Sequence, residues 1–428
     1  MLKQIKPDNC LVRHHGRAGW QSGPVGDRPE TASIASAATA LLENNWRAGK
    51  YRNREYGFSV PSPRSYPWQW YWDSCFHAIV RRRYDTAKAR CELETLLGAM
   101  SPDGFIGHTI LWEQPLDLGR ALRYNIASRR DLMTSTIQPP VLAWAWAWAV
   151  GDPCAEPRIE QHHAWLREHR ALTGDGLLWL IQPDESGMDA SPKFDHVWGR
   201  RAQGTLLFPT LIWRNRHHRF DARQIRAAGH PVVCEVMTNV GWCLSEIALG
   251  RPSLTGALIE RLWDEKTGRF YDEVENPVHA LERAARPRTW DTLAPLALPD
   301  LPDEIAQRLI DEVLRSPSFD DGLPLPAVAL DDPSFSDREL WAGRRHRHWR
   351  GPSWVNSAWL VSLGLRRLGL GDEAARMAQR LLAVVEREGF REYYNPRSGH
   401  GMGARDFGWS TLLWEIADPA PPTFLKAP

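Results

Sequence analysis

The sequence predicts an all-α protein folded as one closed α/α toroid with long functional loops on one rim. Three observations predict it. Several segments repeat apolar residues at helical spacing, two of them adjoin as a hairpin, and no shift of composition marks a domain boundary. Twelve helices with their connections would take about 36 of the 428 residues each, an ordinary allotment.

In chain order, "TASIASAATALLENNW" (31–46) repeats Ile34, Ala38, Leu41 and Leu42 at helical intervals. "VLAWAWAWAV" (141–150) alternates with period two while its alanines favour helix, so periodicity does not decide it. "EVMTNVGWCLSEIALG" (235–250) carries Val236, Val240, Leu244 and Ile247 on one face, and Gly250 follows where a helix stops. "PSWVNSAWLVSLGLRRLG" and "DEAARMAQRLLAVVEREG" are two more helices joined by a short Gly-Asp turn, an αα-hairpin. Pro/Gly/Trp/Asp-rich loops are expected at 57–74, 102–118, 183–200, 286–302, 320–352 and 391–409, and function is expected on them.

Net charge is +1, from 53 basic and 52 acidic residues, which gives no field for nucleic acid or an anionic membrane. No apolar run reaches membrane-spanning length, and the N-terminus lacks the apolar core of a signal peptide. Cysteines 10, 75, 91, 154, 234 and 243 form no CxxC pair and read as reduced thiols of a cytoplasmic protein. Twenty-two tryptophans against nine tyrosines point either to a Trp-rich helical core or to flat surfaces that grip a sugar.

Three stretches carry chemistry. "YPWQWYWDSCFHA" (66–78) sets Asp73 and His77 among rings. "IQPDESGMDASPKFD" (181–195) places Asp184, Glu185, Asp189 and Asp195 in one loop, where turns and helix caps are the plain alternative. "REYYNPRSGHGMGARDFGW" (391–409) offers Glu392, a glycine-rich loop, Asp406 and Trp409; its GxGxG lacks the βαβ context of a phosphate loop. The histidine pairs 14–15, 162–163 and 217–218 and the run "RRHRHW" have no metal-ligand spacing, and no GxSxG is present. No metal and no cofactor is expected. Paired acids among aromatics are what glycoside hydrolysis requires: one carboxylic acid protonates the leaving oxygen while a second carboxylate activates water or attacks.

Together with "TSTIQPPVLA" (134–143) and "HWRGPSWVN" (348–356), these stretches resemble, in family order, glycoside hydrolase family 63, in particular its bacterial mannosylglycerate and glucosylglycerate hydrolases. The resemblance implies an (α/α)6 barrel, here residues 31–418 between an N-terminal extension (1–30) and a C-terminal tail (419–428), and an inverting mechanism. It implies Asp189 as general acid and Glu392 as general base. Inversion calls for carboxyls roughly 6.5–9.5 Å apart, with room for a water. Asp189 must hold a proton near neutrality, with Asp184 and Glu185 as sources of like charge, while Glu392 stays ionised. Trp70, Trp72, Asp73 and Gln138 are implied in the glycone subsite, Trp349 and Trp354 as its closing wall, Gly187 as a point of close backbone access for substrate, and Tyr66 near the leaving-group side.

The chain departs from glycerate-specific relatives where "HPVVCEV" (230–236) stands for a segment with Arg and Tyr, so that His230 and Val236 replace them. Phe407 stands for a polar Gln, His400 for Glu and His348 for Tyr. Loss of a bidentate Arg–carboxylate pair is not made good by His. The expectation is therefore an exo-α-glycosidase acting on a small α-glucoside or α-mannoside whose aglycone is not glycerate. Two other readings stand beside it. A sugar epimerase would draw its acid and base from His77, His348 or His400, and a non-catalytic sugar-binding relative would have Asp189 or Glu392 misplaced.

Overall fold

The computed structural model describes residues 29–112, 133–202, 205, 207–338, 340–341, 344–345 and 348–420. Residues 1–28 of the expected extension, with Cys10, His14 and His15, lie outside the described residues, as do positions 113–118 of one expected loop, 346–347 of the His-rich run and the tail from 421. The first helix spans Pro29–Asn45, so it starts ahead of the expected boundary at 31.

Six helical pieces pack in a circuit that returns on itself. Tyr71–Arg81 lies on Leu142–Ala149, which lies on Val236–Ala248. That helix meets the tight 3₁₀ stretch Trp290–Ala297, which meets Val355–Arg367. The turn Gly408–Leu412, running into Leu413–Ala417, joins Val355–Arg367 back to Tyr71–Arg81. Pieces in such a place are apolar all round, and every residue of Tyr71–Arg81 and of Leu142–Ala149 is buried. That settles the Trp-Ala alternation as helix: Trp144 and Trp148, one turn apart, both meet Trp359, with ring centroids at 5.3 and 6.0 Å. Stretch 286–302, expected to be loop, contains Trp290–Ala297, where Pro295 within the stretch masks the helical pattern.

A second set of helices covers the circuit. Pro29–Asn45, Thr86–Ala99, Thr255–Leu262, Leu309–Leu314 and Gly371–Glu388 each pack on one or two of its members. The last is amphipathic, burying Ala374, Met377, Ala378, Leu381, Leu382, Val384 and Val385, and forms the expected hairpin with Val355–Arg367. The circuit is also stitched end to end. Arg82 donates to both oxygens of Glu415 at 2.8 and 3.1 Å, Asn45 Nδ2 to the Asp406 carbonyl at 2.9 Å, and the Gly408 N–H to the Pro61 carbonyl at 2.8 Å. Among the described residues no helix is long and apolar enough to cross a membrane. Cys75, Cys91, Cys234 and Cys243 are free thiols.

The informative side chains gather where circuit helices begin. Trp70, Glu235, Trp354 and Phe407 are the residues just before Tyr71–Arg81, Val236–Ala248, Val355–Arg367 and Gly408–Leu412. The segment expected as a loop at 391–409 is a β-hairpin, Arg391–Tyr394 against Gly401–Arg405 with Tyr393 opposite Met402. Its turn residues, Asn395 to His400, gave it the composition of a loop.

One ionic knot fixes the acid-rich segment to this frame. The buried Lys193 ammonium reaches Glu235, Asp291 at 2.6 Å and Asp272 at 3.2 Å. Glu235 also accepts from the Met237 and Thr238 N–H groups, so the knot caps a circuit helix as well. Burial disfavours the Lys193 charge, but its three carboxylates outweigh that and hold its pKa above the ordinary value. Asp272, crowded by burial and its acidic neighbours, is pushed up to about 7. Removing the cation strands buried negative charge. Lys193→Met is therefore expected to cost about 3–5 kcal/mol of stability, read as a lowered urea midpoint; an unchanged midpoint would exclude the knot as a structural clamp.

Candidate active site

The segment 182–198 holds four acids, and the structure gives them different tasks. Glu185 is fully buried and accepts from both terminal nitrogens of Arg170 (2.8 and 2.6 Å) and from the N–H groups of Ile137 (3.2 Å) and Ile181 (2.8 Å). Its charge is matched there by Arg170. Asp195 takes both terminal nitrogens of Arg350 at 2.6 and 2.8 Å, tying this segment to the 348–354 loop. Asp184 and Asp189 remain for the pocket. Burial, with Glu185 and Asp189 adding, pushes Asp184 up to about 8.

Asp189 is partly open, its side chain 24% exposed, and its Oδ1 lies 3.1 Å from His348 Nε2. Glu392, on the Arg391–Tyr394 strand, is buried. Its Oε1 accepts from the Tyr66 hydroxyl at 3.0 Å and its Oε2 from the Ala404 N–H at 2.8 Å. Gly403 makes the second contact possible. It sits at φ +66°, and a β-carbon there would stand 2.6 Å from Glu392 Oε2. Burial pushes the Glu392 carboxyl above its ordinary range, the His348, Ala404 and Tyr66 contacts pull it back, and the charge of Asp189 adds to the rise. Asp189 and Glu392, remote in sequence, are thus brought within electrostatic reach, with His348 coupled to both.

Rings wall the space continuously. Trp349 lies flat on Trp354, centroids 3.8 Å apart. Trp354 meets Tyr393 (4.6 Å) and Trp409 (5.5 Å), and Trp409 meets Trp72 (5.2 Å) and Phe407 (4.8 Å). Tyr66 stands edge-on to Phe407 (5.8 Å) and Trp70 (5.6 Å). Asp73, in the first turn of Tyr71–Arg81, is buried, and burial with the charges of Glu392 and Glu92 holds its carboxyl well above the usual range. Asp73 Oδ1 and Trp70 Nε1 are buried polar atoms without a hydrogen-bond partner.

Several expectations need correction. Gly187, at φ +71°, gives close access to a protein ring rather than to substrate, because a β-carbon there would stand 2.5 Å from Trp72. Gln138 Oε1 accepts from the Trp72 N–H at 3.1 Å, so it orients the start of the helix. The Tyr66 hydroxyl donates to Glu392 and also feels the charge of Asp189. His230 meets the His218 ring at 5.2 Å, and the charges acting on it are those of Arg214, His218 and Arg201, none of which surrounds Asp189 or Glu392. Val236 is a core residue whose N–H donates to Asp272. His400 is exposed and pairs with Glu388 at 3.3 Å, while His77 is fully buried against Glu92 at 3.2 Å. The histidines an epimerase would use are therefore apart.

Sequence reasoning did not single out Tyr393, His108 or the contact of His348 with Asp189. His108, pushed down to about 3 by burial, bonds Thr136 and faces Trp70 at 5.5 Å. The signal available for His348 was its place next to Trp349 in a loop already marked for the pocket.

Comparisons with known proteins agree with this geometry. A family model described as a mannosylglycerate hydrolase MGH1-like glycoside hydrolase domain matches residues 66–410. The chain is similar to a mannosylglycerate hydrolase of Thermus thermophilus, 29% identical and covering 85% of this chain and 97% of the relative. It is also similar to a glucosylglycerate hydrolase of Mycolicibacterium hassiacum, 24% identical, covering 82% and 92%. Its fold is similar to the crystal structure of a GH63 mannosylglycerate hydrolase from Thermus thermophilus in complex with Tris and D-glycerate. There the TM-score is 0.73 at 27% identity, over 90% of this chain and 99% of that one.

The Tyr66 hydroxyl helps keep Glu392 ionised, so Tyr66→Phe is expected to move the Glu392 titration to higher pH. Carboxyl-carbon NMR across a pH series reads this, and an unmoved titration would show that the bond is not made in solution.

Proposed function

The chain belongs to the mannosylglycerate hydrolase MGH1-like glycoside hydrolase family, and from that premise we propose that it is an inverting exo-α-glycosidase. Its substrate is a small α-glucoside or α-mannoside whose aglycone is not glycerate. What supports the reading is that Asp189 and Glu392 act on one another's charge and both act on His348, beside a connected set of rings. The circuit of six packed helical pieces is read as the inner ring of an (α/α)6 barrel formed by residues 31–418.

In this reading the Asp189 carboxyl protonates the glycosidic oxygen as the C1–O bond breaks and its electron pair moves to that oxygen. Glu392 takes a proton from the water that attacks C1 from the opposite face. The two donors on Glu392 fix its orientation and favour its anion, and burial leaves it a stronger base than an exposed carboxylate. Asp73 Oδ1 and Trp70 Nε1, both lacking partners, are assigned to sugar hydroxyls, with Trp72, Trp354 and Trp349 forming the wall that excludes water. The departure at His230 no longer bears on the aglycone. What supports a neutral aglycone is Arg350, the cation coupled to His348, which already has both terminal nitrogens engaged by Asp195.

Asp189→Asn and Glu392→Gln are each expected to lower kcat by about 10²–10⁴-fold without loss of fold, and wild-type turnover in either variant would remove that residue from its role. NMR of fresh reaction mixtures should show the β-anomer of the released sugar first; an α-anomer appearing first would overturn inversion. Across a panel of neutral α-glucosides and α-mannosides with mannosylglycerate and glucosylglycerate, preference for either glycerate compound would overturn the aglycone assignment. Asp73→Asn should chiefly raise KM, and an unchanged KM would exclude its contact with the sugar.

A further inference from the structure

His348 stands out among the described residues because its side chain is bonded to Asp189. Its Nε2 lies 3.1 Å from Asp189 Oδ1, and its ring runs nearly parallel to Tyr393, with centroids 6.4 Å apart. The loop beneath it is fixed from both sides. The Trp354 indole N–H donates to the His348 carbonyl at 3.1 Å, and the Arg350–Asp195 ion pair fastens the next turn. The imidazole is therefore positioned rather than swinging, and at 21% exposure it keeps a path to solvent.

We propose that His348 is the positioning residue that holds and supplies the proton of the acid Asp189, so that the two side chains act as one donor with the imidazole as its reservoir. The proposal rests on the hydrolase reading of the pocket. As the glycosidic C1–O bond breaks and its electron pair moves to the departing oxygen, the Asp189 carboxylate takes the pair's one proton from His348 Nε2 and passes it to that oxygen. The imidazolium becomes neutral imidazole and Asp189 ends as carboxylate. Water adds to C1 and gives its proton to Glu392, which later loses it to solvent, and His348 regains one from solvent. The sum is addition of one water, with no other reactant.

The groups facing His348 fit this role. Asp189 comes from the 182–198 segment, Glu392 and Tyr393 from the hairpin, and Arg350, held by Asp195, from its own loop. Asp184 and Tyr66 stand behind the two acids. Burial alone would favour neutral imidazole, but the Asp189 contact and the Glu392 charge outweigh it and raise the imidazole pKa above its ordinary value. A raised histidine pKa holds the proton on the pair to higher pH than a free imidazole would and releases it as pH climbs, so the pair sets the alkaline limb of kcat/KM. Glu392, which must be ionised, sets the acid limb.

The test uses the full-length protein and two probes of the same sugar, its methyl and p-nitrophenyl α-glycosides. Methanol leaves poorly without a proton, whereas p-nitrophenolate leaves with little help. His348→Gln is expected to displace the alkaline limb and to slow the methyl glycoside roughly tenfold or more beyond any loss on the aryl glycoside, with added imidazole restoring part of the difference. Equal losses on both probes with an unmoved alkaline limb would overturn the proposal, because a purely structural role predicts that result. Imidazole nitrogen NMR gives a readout independent of turnover: the His348 signal should titrate at lower pH in Asp189→Asn than in the wild type, and an unmoved titration also overturns it. A wild type that cleaves no α-glycoside would sink the hydrolase reading itself, which the NMR titration distinguishes from failure of the His348–Asp189 coupling.

Discussion

Buried charge has to be matched where it stands, and that constraint organises the segment 182–198. It is clamped at Glu185 by Arg170, at Lys193 by Glu235, Asp272 and Asp291, and at Asp195 by Arg350. The partners come from the end of the helix Pro157–Arg170, from the starts of two circuit elements, from Asp272 just after the short strand Arg269–Phe270 and from the 348–354 loop, so no single rigid-body shift relieves all three. A segment rich in Gly, Ser and Pro would otherwise wander by more than the fraction of an ångström that reacting groups tolerate. Asp189 lies between the first clamp and the second. Its position is thus a consequence of ion pairs that take no part in chemistry: the two buried clamps each cost about 3–5 kcal/mol to break from one side, and the half-exposed Arg350–Asp195 pair contributes less.

Glu392 reaches the same space by a different device. Its strand is held by the hairpin and by paired bonds between Ser353 and Tyr394, which also fasten the loop that carries His348 and Trp354. The two acids are therefore positioned by separate parts of the chain, both tied to the loop that carries the imidazole. The ring wall around them removes water, and in a low-dielectric space the three groups feel one another strongly. Charge on one member resets the others, and the proton count of the trio matters more than the pKa of any single group.

Periodic helices and the acids that stand among rings were legible in the sequence, because both signals are local. Ile34 to Leu42 and Ala374 to Val385 repeat at helical spacing, and Asp73 has no reason to sit in "WQWYWD" unless it is used. The Lys193 knot was not legible, since its partners at 235, 272 and 291 are unremarkable acids until the fold collects them. Gly187 was placed correctly but explained wrongly. The sequence shows that a glycine is needed there and not that Trp72 needs the space. His230 failed for a further reason: aligning a short segment without its packing assigned a pocket role to a side chain that lies with His218 and Arg214. The period-two run at 141–150 was undecidable alone and resolved only by Trp359, far along the chain.

Asp73 gives the sharpest balance of forces in the pocket. It lies in the first turn of Tyr71–Arg81, where the helix favours an anion by about 0.3–1 kcal/mol, at most ~2. Removing a carboxylate from water costs several kcal/mol even after relaxation. The direction of its shift, well above the usual carboxylate range, shows that burial wins. One of its oxygens has no donor, and the rings that exclude water also exclude the simplest remedy. In the proposed function the missing donors are sugar hydroxyls, each bond to the charged form contributing about 1.5–3 kcal/mol. Two such bonds are enough to offset the burial cost, whereas an apolar ligand of the same shape leaves the acid unrelieved. The penalty carried by the empty pocket thus becomes discrimination in the filled one, and it requires that the acid be surrounded by rings rather than by polar neighbours that would satisfy it in advance.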